Sequence, residues 1–490
     1  MGKGREKLKK VAWVALFLLL AALLVGAAEG VLNPKEETML AFYDEPKNTV
    51  DVLFVGGSHA AAAFDPIQLW QQHGYTGYTL YSWGQPAWTS YHYVVEALKT
   101  QTPQVVVVEG FGFLYGRSYL EEVNFDSVSD DFSLRIRPGA NRVALAMAMS
   151  RWQVNSRPWY RYAPLLRYHG RWKTLTLEDF TWPFWDHATT AKGFGPNFTT
   201  EAFAAPARPE SPPPADLYPG CEEYLLKLIE LAEREGFQLV VATAPYVVED
   251  ASEWSVLQRI QDICEANGVL ALDYNQATLL DESGFSFETD MAEHAHVNLY
   301  GAEKITAHIG GQLAEHFALE DRRDEPAFAH WHEAAAVEYW DKTLMRLRLS
   351  PTAAQWFPRM AEENLAAFVV TRGARFDQGD NAPLLEGFAA LGMDTEVLRG
   401  GGSYLAVVDG GRLQRQDAGG PADTLEASYA LGEGEVYLQA SEEQVVLRYG
   451  ETNYALDYDG VHVLVVDKTD GSVVKCVVFR PEEGCITRTD

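Results

Sequence analysis

Val105-Val106-Val107-Val108 is a run with no polar side. Side chains alternate across a strand, so a run that is apolar at every position needs cover on both faces. Four other short apolar runs lie within the first 272 residues, at 52–55, 79–81, 239–244 and 269–272. Helical patterns at 91–99, 221–235, 253–267 and 299–317 fall between and after them. That alternation predicts βαβ units, hence an α/β fold with a parallel sheet between helical layers.

The rhythm breaks between Gly116 and Gly220. This stretch carries Trp152, Trp159, Trp172, Trp182 and Trp185, then a proline-rich piece, 205–220, with Pro212-Pro213-Pro214. It reads as an insertion ended by a stiff linker, its tryptophans building a small core of their own. Stacking on sugar rings is the alternative use of such aromatics. A charged connector follows at 319–363 and includes a helical pattern at 327–347. From Asn364 the texture changes to short strands at 366–371, 404–408, 435–439, 444–447, 461–466 and 473–479, with a helix near 383–391. Asp470-Gly471 marks a hairpin turn. Residues 364–490 are therefore expected to form a separate β-rich domain. At 490 residues the chain is long enough for two or three domains.

The N-terminus bears on the compartment. Lys3, Arg5, Lys7, Lys9 and Lys10 precede an uncharged apolar run from Val11 to Ala28, near the minimum for a membrane-spanning helix. Residues 1–32 thus read as a basic cytoplasmic flank and an uncleaved transmembrane anchor, the bulk of the chain lying outside the cytoplasm. Gly26-Ala27-Ala28 would suit a signal peptidase in the competing reading. The net charge of -29 argues against nucleic-acid binding. Cys221, Cys264, Cys476 and Cys485 contain no CxxC, so neither a zinc ribbon nor a thioredoxin motif is indicated, and Cys476 with Cys485 is the plausible local disulfide.

Two segments carry candidate chemistry. Gly56-Gly57-Ser58 follows the first apolar run, so Ser58 falls at the carboxyl end of a parallel strand, where open α/β sheets place ligands. Such a turn also suits a plain helix N-cap or a phosphate cradle. The second segment is 290–298, Asp290-Met291-Ala292-Glu293-His294-Ala295-His296-Val297-Asn298. A serine hydroxyl needs a positioned base, and that base needs an orienting acceptor. His296 can be the base, and Glu293 reaches its other ring nitrogen if the loop makes one helical turn. Asn298 is a natural N-cap for the helix beyond. Asp290, Glu293, His294 and His296 are also residue types that suit zinc or iron. A dinucleotide fingerprint is absent, since the later glycine positions counted from Gly56 hold Ser58 and Ala61.

Gly56-Gly57-Ser58, the internal Gly84 of Tyr81-Ser82-Trp83-Gly84-Gln85-Pro86, and the late Glu293-x-x-His296 together resemble the SGNH (GDSL-type) hydrolases. The likeness is greatest to the membrane-anchored subgroup related to bacterial polysaccharide O-acetyltransferases, and it covers residues 50–318 with 116–220 as an insertion. The resemblance implies a flavodoxin-like three-layer fold with a mostly parallel sheet. It implies Ser58 as nucleophile, His296 as base, Glu293 as orienting carboxylate with Asp290 as the alternative, and Gly84 as an oxyanion-hole donor. It calls for no cofactor and no metal. Glu293 stands where the family has aspartate, and the family's third-block asparagine is missing, because Glu109-Gly110-Phe111 follows the valine run. Residues 365–480, with Ser403–Gly411 and Val463–Gly471, resemble the interleukin-like EMT inducer domain.

The function expected is that of an anchored, extracytoplasmic serine esterase or O-acyltransferase acting on acetyl esters of cell-surface carbohydrate. Its partners would be a polysaccharide or peptidoglycan-type glycan, the lipid membrane through the N-terminal helix, and a membrane-bound acyl-donor protein. The alternative from another class is a non-catalytic glycan-binding or adhesion protein on a degraded hydrolase fold.

Overall fold

The structure, a computed structural model, describes every residue except 1, 34, 36–37, 117–133, 154–160, 163, 350–355, 374, 377–380, 433, 481–483 and 488–490. The chain divides into two compact units, Met1–Glu338 and Tyr339–Asp490.

The first unit is built on five parallel strands, β1 (Val52–Gly56), β2 (Gly77–Tyr81), β3 (Val105–Glu109), β4 (Gln238–Thr243) and β5 (Leu270–Asp273). Their spatial order is β2-β1-β3-β4-β5. The principal helices are α1 (Gly2–Leu32), α2 (Thr38–Asp44), α3 (Ser58–Ala63), α4 (Pro66–His73), α5 (Ala87–Ala97), α6 (Ala140–Trp152), α7 (Pro219–Glu235), α8 (Ser252–Ala266) and α9 (Leu299–His316). Alternate strand residues supply two cores. Leu53, Val55, Val106, Val108, Leu239 and Val241 pack with side chains of α2, α5, α6, α7 and α8. Val52, Phe54, Val105, Val107, Val240 and Leu272 pack on the other face with α3, α4 and α9. The valine run is uninterrupted because both of its faces are covered. Ahead of the first strand, α2 buries Met39, Ala41 and Phe42.

The sheet order reverses between β1 and β3. At such a switch point the connections leave in opposite directions and open a crevice at the strands' carboxyl ends. Ser58 follows β1 directly and Gly110 follows β3, so both sit at that crevice. The glycine at the end of β1 is sterically required: a Cβ on Gly56 would lie 2.5 Å from Glu109 Cβ and 2.8 Å from Ala60 Cβ.

The second unit holds two antiparallel sheets. One has the order β15 (Gly484–Thr487), β14 (Val473–Arg480), β13 (Gly460–Asp467), β6 (Leu365–Arg372), β7 (Tyr404–Asp409), β8 (Arg412–Ala418), and the other β12 (Thr452–Asn453), β11 (Val445–Tyr449), β10 (Gly434–Ala440), β9 (Leu425–Leu431). Strand β6 (Leu365–Arg372) sends Ala366, Phe368 and Val370 toward the smaller sheet, where they meet Val436, Leu438 and Leu447. Its alternate residues Ala367 and Val369 pack with Phe357 and with Leu384, Leu385 and Phe388 of the helix Ala382–Ala390. Strands β13 (Gly460–Asp467) and β14 (Val473–Arg480) pair through the turn at Asp470-Gly471, where Gly471 takes a positive φ of 76°. Strands β8 (Arg412–Ala418) and β9 (Leu425–Leu431) were not marked by the apolar pattern.

The local disulfide expected from sequence does not form. Strand β15 (Gly484–Thr487) pairs Cys485 with Phe479, three residues along β14 from Cys476. At about 3.3 Å per residue that offset exceeds disulfide reach. Cys476 is a buried thiol that donates to the Tyr454 carbonyl at 3.0 Å.

Candidate active site

Ser58 opens α3 behind Gly57, an extended residue with φ -86° and ψ -155°. The amides of Ala60 and Ala61 donate back to the Gly57 carbonyl at 3.1 and 3.3 Å. Those of Ser58 and His59 belong to the helix start, where the helix has no carbonyl to offer them. The turn after β2 lies alongside: a Cβ on Gly57 would meet the Gln85 amide nitrogen at 3.4 Å. Gly84 occupies that turn with φ 59°, a left-handed backbone that favours glycine. The turn is pinned by Ser82 Oγ donating to Gln85 Oε1 at 2.9 Å and Gln85 Nε2 donating to Ser90 Oγ at 3.1 Å.

His296 Nε2 lies 2.7 Å from Ser58 Oγ across 238 residues of sequence, and its Nδ1 is hydrogen-bonded to Glu293 Oε1. The other carboxylate oxygen of Glu293 accepts from the Ala295 amide at 2.8 Å and lies 3.0 Å from His294 Nδ1. Burial opposes the charge on Glu293. The Ala295 amide, the His296 ring and the nearby imidazoles outweigh it and hold the carboxyl below the ordinary glutamate value.

The loop reaches this geometry differently from the helical turn expected. Met291 and Val297 form an antiparallel bridge, and the Ala292 amide donates to the His296 carbonyl at 2.8 Å. Residues 292–296 therefore bow out as a tight loop, which brings Glu293 and His296 together across its mouth. Asn298 closes the loop from below. Its side chain accepts from the Tyr300 and Gly301 amides at the start of α9 and donates to the Thr289 carbonyl at 2.8 Å. The Val247 amide donates to the His294 carbonyl at 2.7 Å and ties the loop to the segment after β4.

Asp290 is placed elsewhere. Its buried carboxylate accepts from Lys304 at 2.6 Å, the Ser286 amide at 2.7 Å and Thr289 Oγ1 at 2.9 Å, so it braces the loop base. Asp290 thus lies apart from the other three residues considered for a metal. Among the described residues no group of three or more His, Cys, Asp or Glu is arranged to hold a metal ion.

Two further residues border the site. His59 is buried beside the site, its ring stacked on Phe111 with centroids 3.8 Å apart and 4.7 Å from the ring of His296. Burial and the neighbouring His296 and His294 rings push its pKa well down, so it faces the site as a neutral ring. Adjacency to Ser58 was the available signal, but which way a first-turn side chain turns depends on what packs there. Glu109 stands where the sequence lacks an asparagine. It caps the turn after β3 by accepting from the Phe111 amide at 3.0 Å, and burial raises its pKa to about 8.

No family model and no curated protein sequence matches the chain. Among solved structures, one from Bacteroides fragilis NCTC 9343, assigned provisionally as an acylhydrolase, aligns over 58% of this chain and 97% of its own. That alignment has a TM-score of 0.28 and 11% identity, too loose to assign either fold or activity.

Proposed function

We propose that the chain is a serine-dependent ester hydrolase or O-acyltransferase of the SGNH type, acting on acetyl esters of cell-surface carbohydrate from a membrane-anchored position. The reading rests on one observation, the relay from Ser58 Oγ through both ring nitrogens of His296 to Glu293. A nucleophile, a base and an orienting carboxylate in that order are what acyl transfer through serine requires.

In the first half-reaction His296 Nε2 takes the Oγ proton as Ser58 attacks the acyl carbonyl carbon. Glu293 holds the Nδ1–H and stabilises the imidazolium. The amides of Ser58 and Gly84 are assigned to the oxyanion, and each such donor is worth roughly 3 kcal/mol of transition-state stabilisation. Collapse breaks the ester C–O bond, and His296 returns its proton to the leaving alcohol. Water or a sugar hydroxyl, deprotonated by His296, then attacks the acyl-serine and restores Ser58. Residues 50–318 would form the three-layer catalytic domain, and 364–490 a β-rich module of the interleukin-like EMT inducer type. Residues 319–363 would connect the two.

Purified protein is expected to hydrolyse p-nitrophenyl acetate and to be labelled by a fluorophosphonate. Ser58→Ala should lower both by roughly a thousandfold or more. Labelling that survives Ser58→Ala would remove the nucleophile assignment. A wild-type protein that neither hydrolyses nor labels would favour the glycan-binding alternative. A glycan O-acetylation assay distinguishes hydrolysis from transfer.

A further inference from the structure

Among the described residues, the tryptophans of the insertion do not build a core of their own. Trp172 is 65% exposed and Trp185 is also exposed, while Leu177 and Phe184 are 81% and 86% exposed. Phe180 and Leu166 add to the same set. Trp159 lies outside the described residues. Isolated exposed apolar residues need no explanation, but this many in one short stretch of a folded unit does.

Their location supplies one. The short helices that carry them, Pro164–Tyr168, His169–Lys173, Leu177–Thr181 and Trp182–Phe184, pack against α1. Arg171 donates to the last carbonyls of α1, at Leu32 (3.0 Å) and at Asn33 just beyond it. The same guanidinium pairs with Asp179 at 2.6 Å. Lys35, just past α1, pairs with Glu178 at 2.8 Å and sits 5.6 Å from the Trp182 ring. On α6, Arg142 pairs with Glu29 in the last turn of α1, and the same helix exposes Val143 and Met147. The aromatic stretch is therefore clamped to the carboxyl end of a helix whose stretch from Glu6 to Leu32 is long and apolar enough to cross a membrane, with none of its most apolar window buried.

Charge points the same way. Between Leu134 and His187 the sequence carries nine Lys and Arg against three Asp and Glu, a net +6 inside a chain of net -29. Tryptophan and tyrosine interleaved with arginine and lysine are what the headgroup level of a bilayer selects.

We propose that residues 134–153 and 164–187 form a collar that lies on the anionic headgroup region of the membrane crossed by α1, with Trp172, Leu177 and Phe184 entering the interface. The proposal rests on reading α1 as membrane-spanning. Such a collar would fix the orientation of the first unit, and hence the height and tilt of the Ser58 crevice, relative to the lipid.

The test uses the full chain reconstituted in phosphatidylcholine vesicles, with and without phosphatidylglycerol. An environment-sensitive fluorophore is attached at Phe184→Cys, at Leu177→Cys in a separate protein, at Leu19→Cys within α1, and at the exposed Glu282→Cys as a control. All four carry Cys485→Ser, since Cys221, Cys264 and Cys476 are buried. Probes at 184 and 177 should be blue-shifted and quenched by brominated lipid, while the probe at 282 is neither. Quenching at 184 should fall several-fold without phosphatidylglycerol and with Lys173→Glu. If the probe at 19 is quenched but those at 184 and 177 remain in water, the collar is wrong and the anchor stands. If the probe at 19 is not quenched, the anchor reading fails first. A probe at 184 that is blue-shifted yet unquenched by brominated lipid would mean that protein, such as a second copy, covers the surface, and would also overturn the proposal.

Discussion

Glu293 serves three neighbours with one carboxylate, the ring of His296 on one oxygen and the Ala295 amide and the His294 ring on the other. The amide bond locks the carboxylate plane, so the longer glutamate arm is held where a shorter aspartate would need less restraint. Glu293→Gln keeps the shape but no longer stabilises the imidazolium, and is expected to cut esterase kcat by about 10²–10⁴-fold. Its effect on stability should depend on pH. The folded-state pKa of Glu293 is lowered, so its carboxylate stabilises the fold above the ordinary glutamate value. That contribution is lost as the pH falls through the lowered value. The wild type should therefore exceed Glu293→Gln in urea midpoint near neutrality, and the gap should close below about pH 4. Glu109 runs the other way. Burial raises its pKa to about 8, so folding is progressively penalised as the pH climbs from about 4.5 toward that value. Glu109→Gln should gain stability relative to wild type over that window and level off above it, as followed by thermal denaturation. A wild-type-minus-variant difference that does not change with pH would refute either assignment.

At the scale of elements, the crevice depends on how closely β1, β3 and α3 approach. Gly56→Ala would push a methyl group into Glu109 and Ala60. It should cost about 1–3 kcal/mol in urea denaturation and slow fluorophosphonate labelling of Ser58, because the strand end that carries the serine must shift. Normal stability with normal labelling would show that the contact relaxes freely. Much of this level was legible in the chain. The valine run, the helices of 219–235 and 299–316 and the hairpin at Asp470-Gly471 all declare themselves through local pattern. What was not legible depends on distant partners. Strand β8 is polar at most positions and exposed along much of its length, so only its pairing with β7 (Tyr404–Asp409) makes it a strand. The spacing of Glu293 and His296 pointed to their contact, but not to the Met291–Val297 bridge that produces it. Likewise His59 could be named but not oriented, because the Phe111 ring it stacks on follows a different strand.

At the scale of the molecule, every residue of the candidate site belongs to Met1–Glu338, and the second unit has cores of its own. Phe388 is fully buried there against Phe357 and Phe479. Phe388→Ala is expected to destabilise that unit by about 3–5 kcal/mol in calorimetry while leaving the rate of Ser58 labelling unchanged. A parallel loss of labelling would show that the two units are energetically coupled. The 238 residues between Ser58 and His296 also have a consequence in time. A chain made from its N-terminus presents the serine long before the histidine exists, and the strand and loop that place His296 come late in the unit, with α9 and the residues to Glu338 still to follow. On the proposed function, Ser58 would be an ordinary alcohol during synthesis and would become reactive only once the α/β unit is nearly complete. Reactivity of Ser58 would in that sense report that this unit has folded.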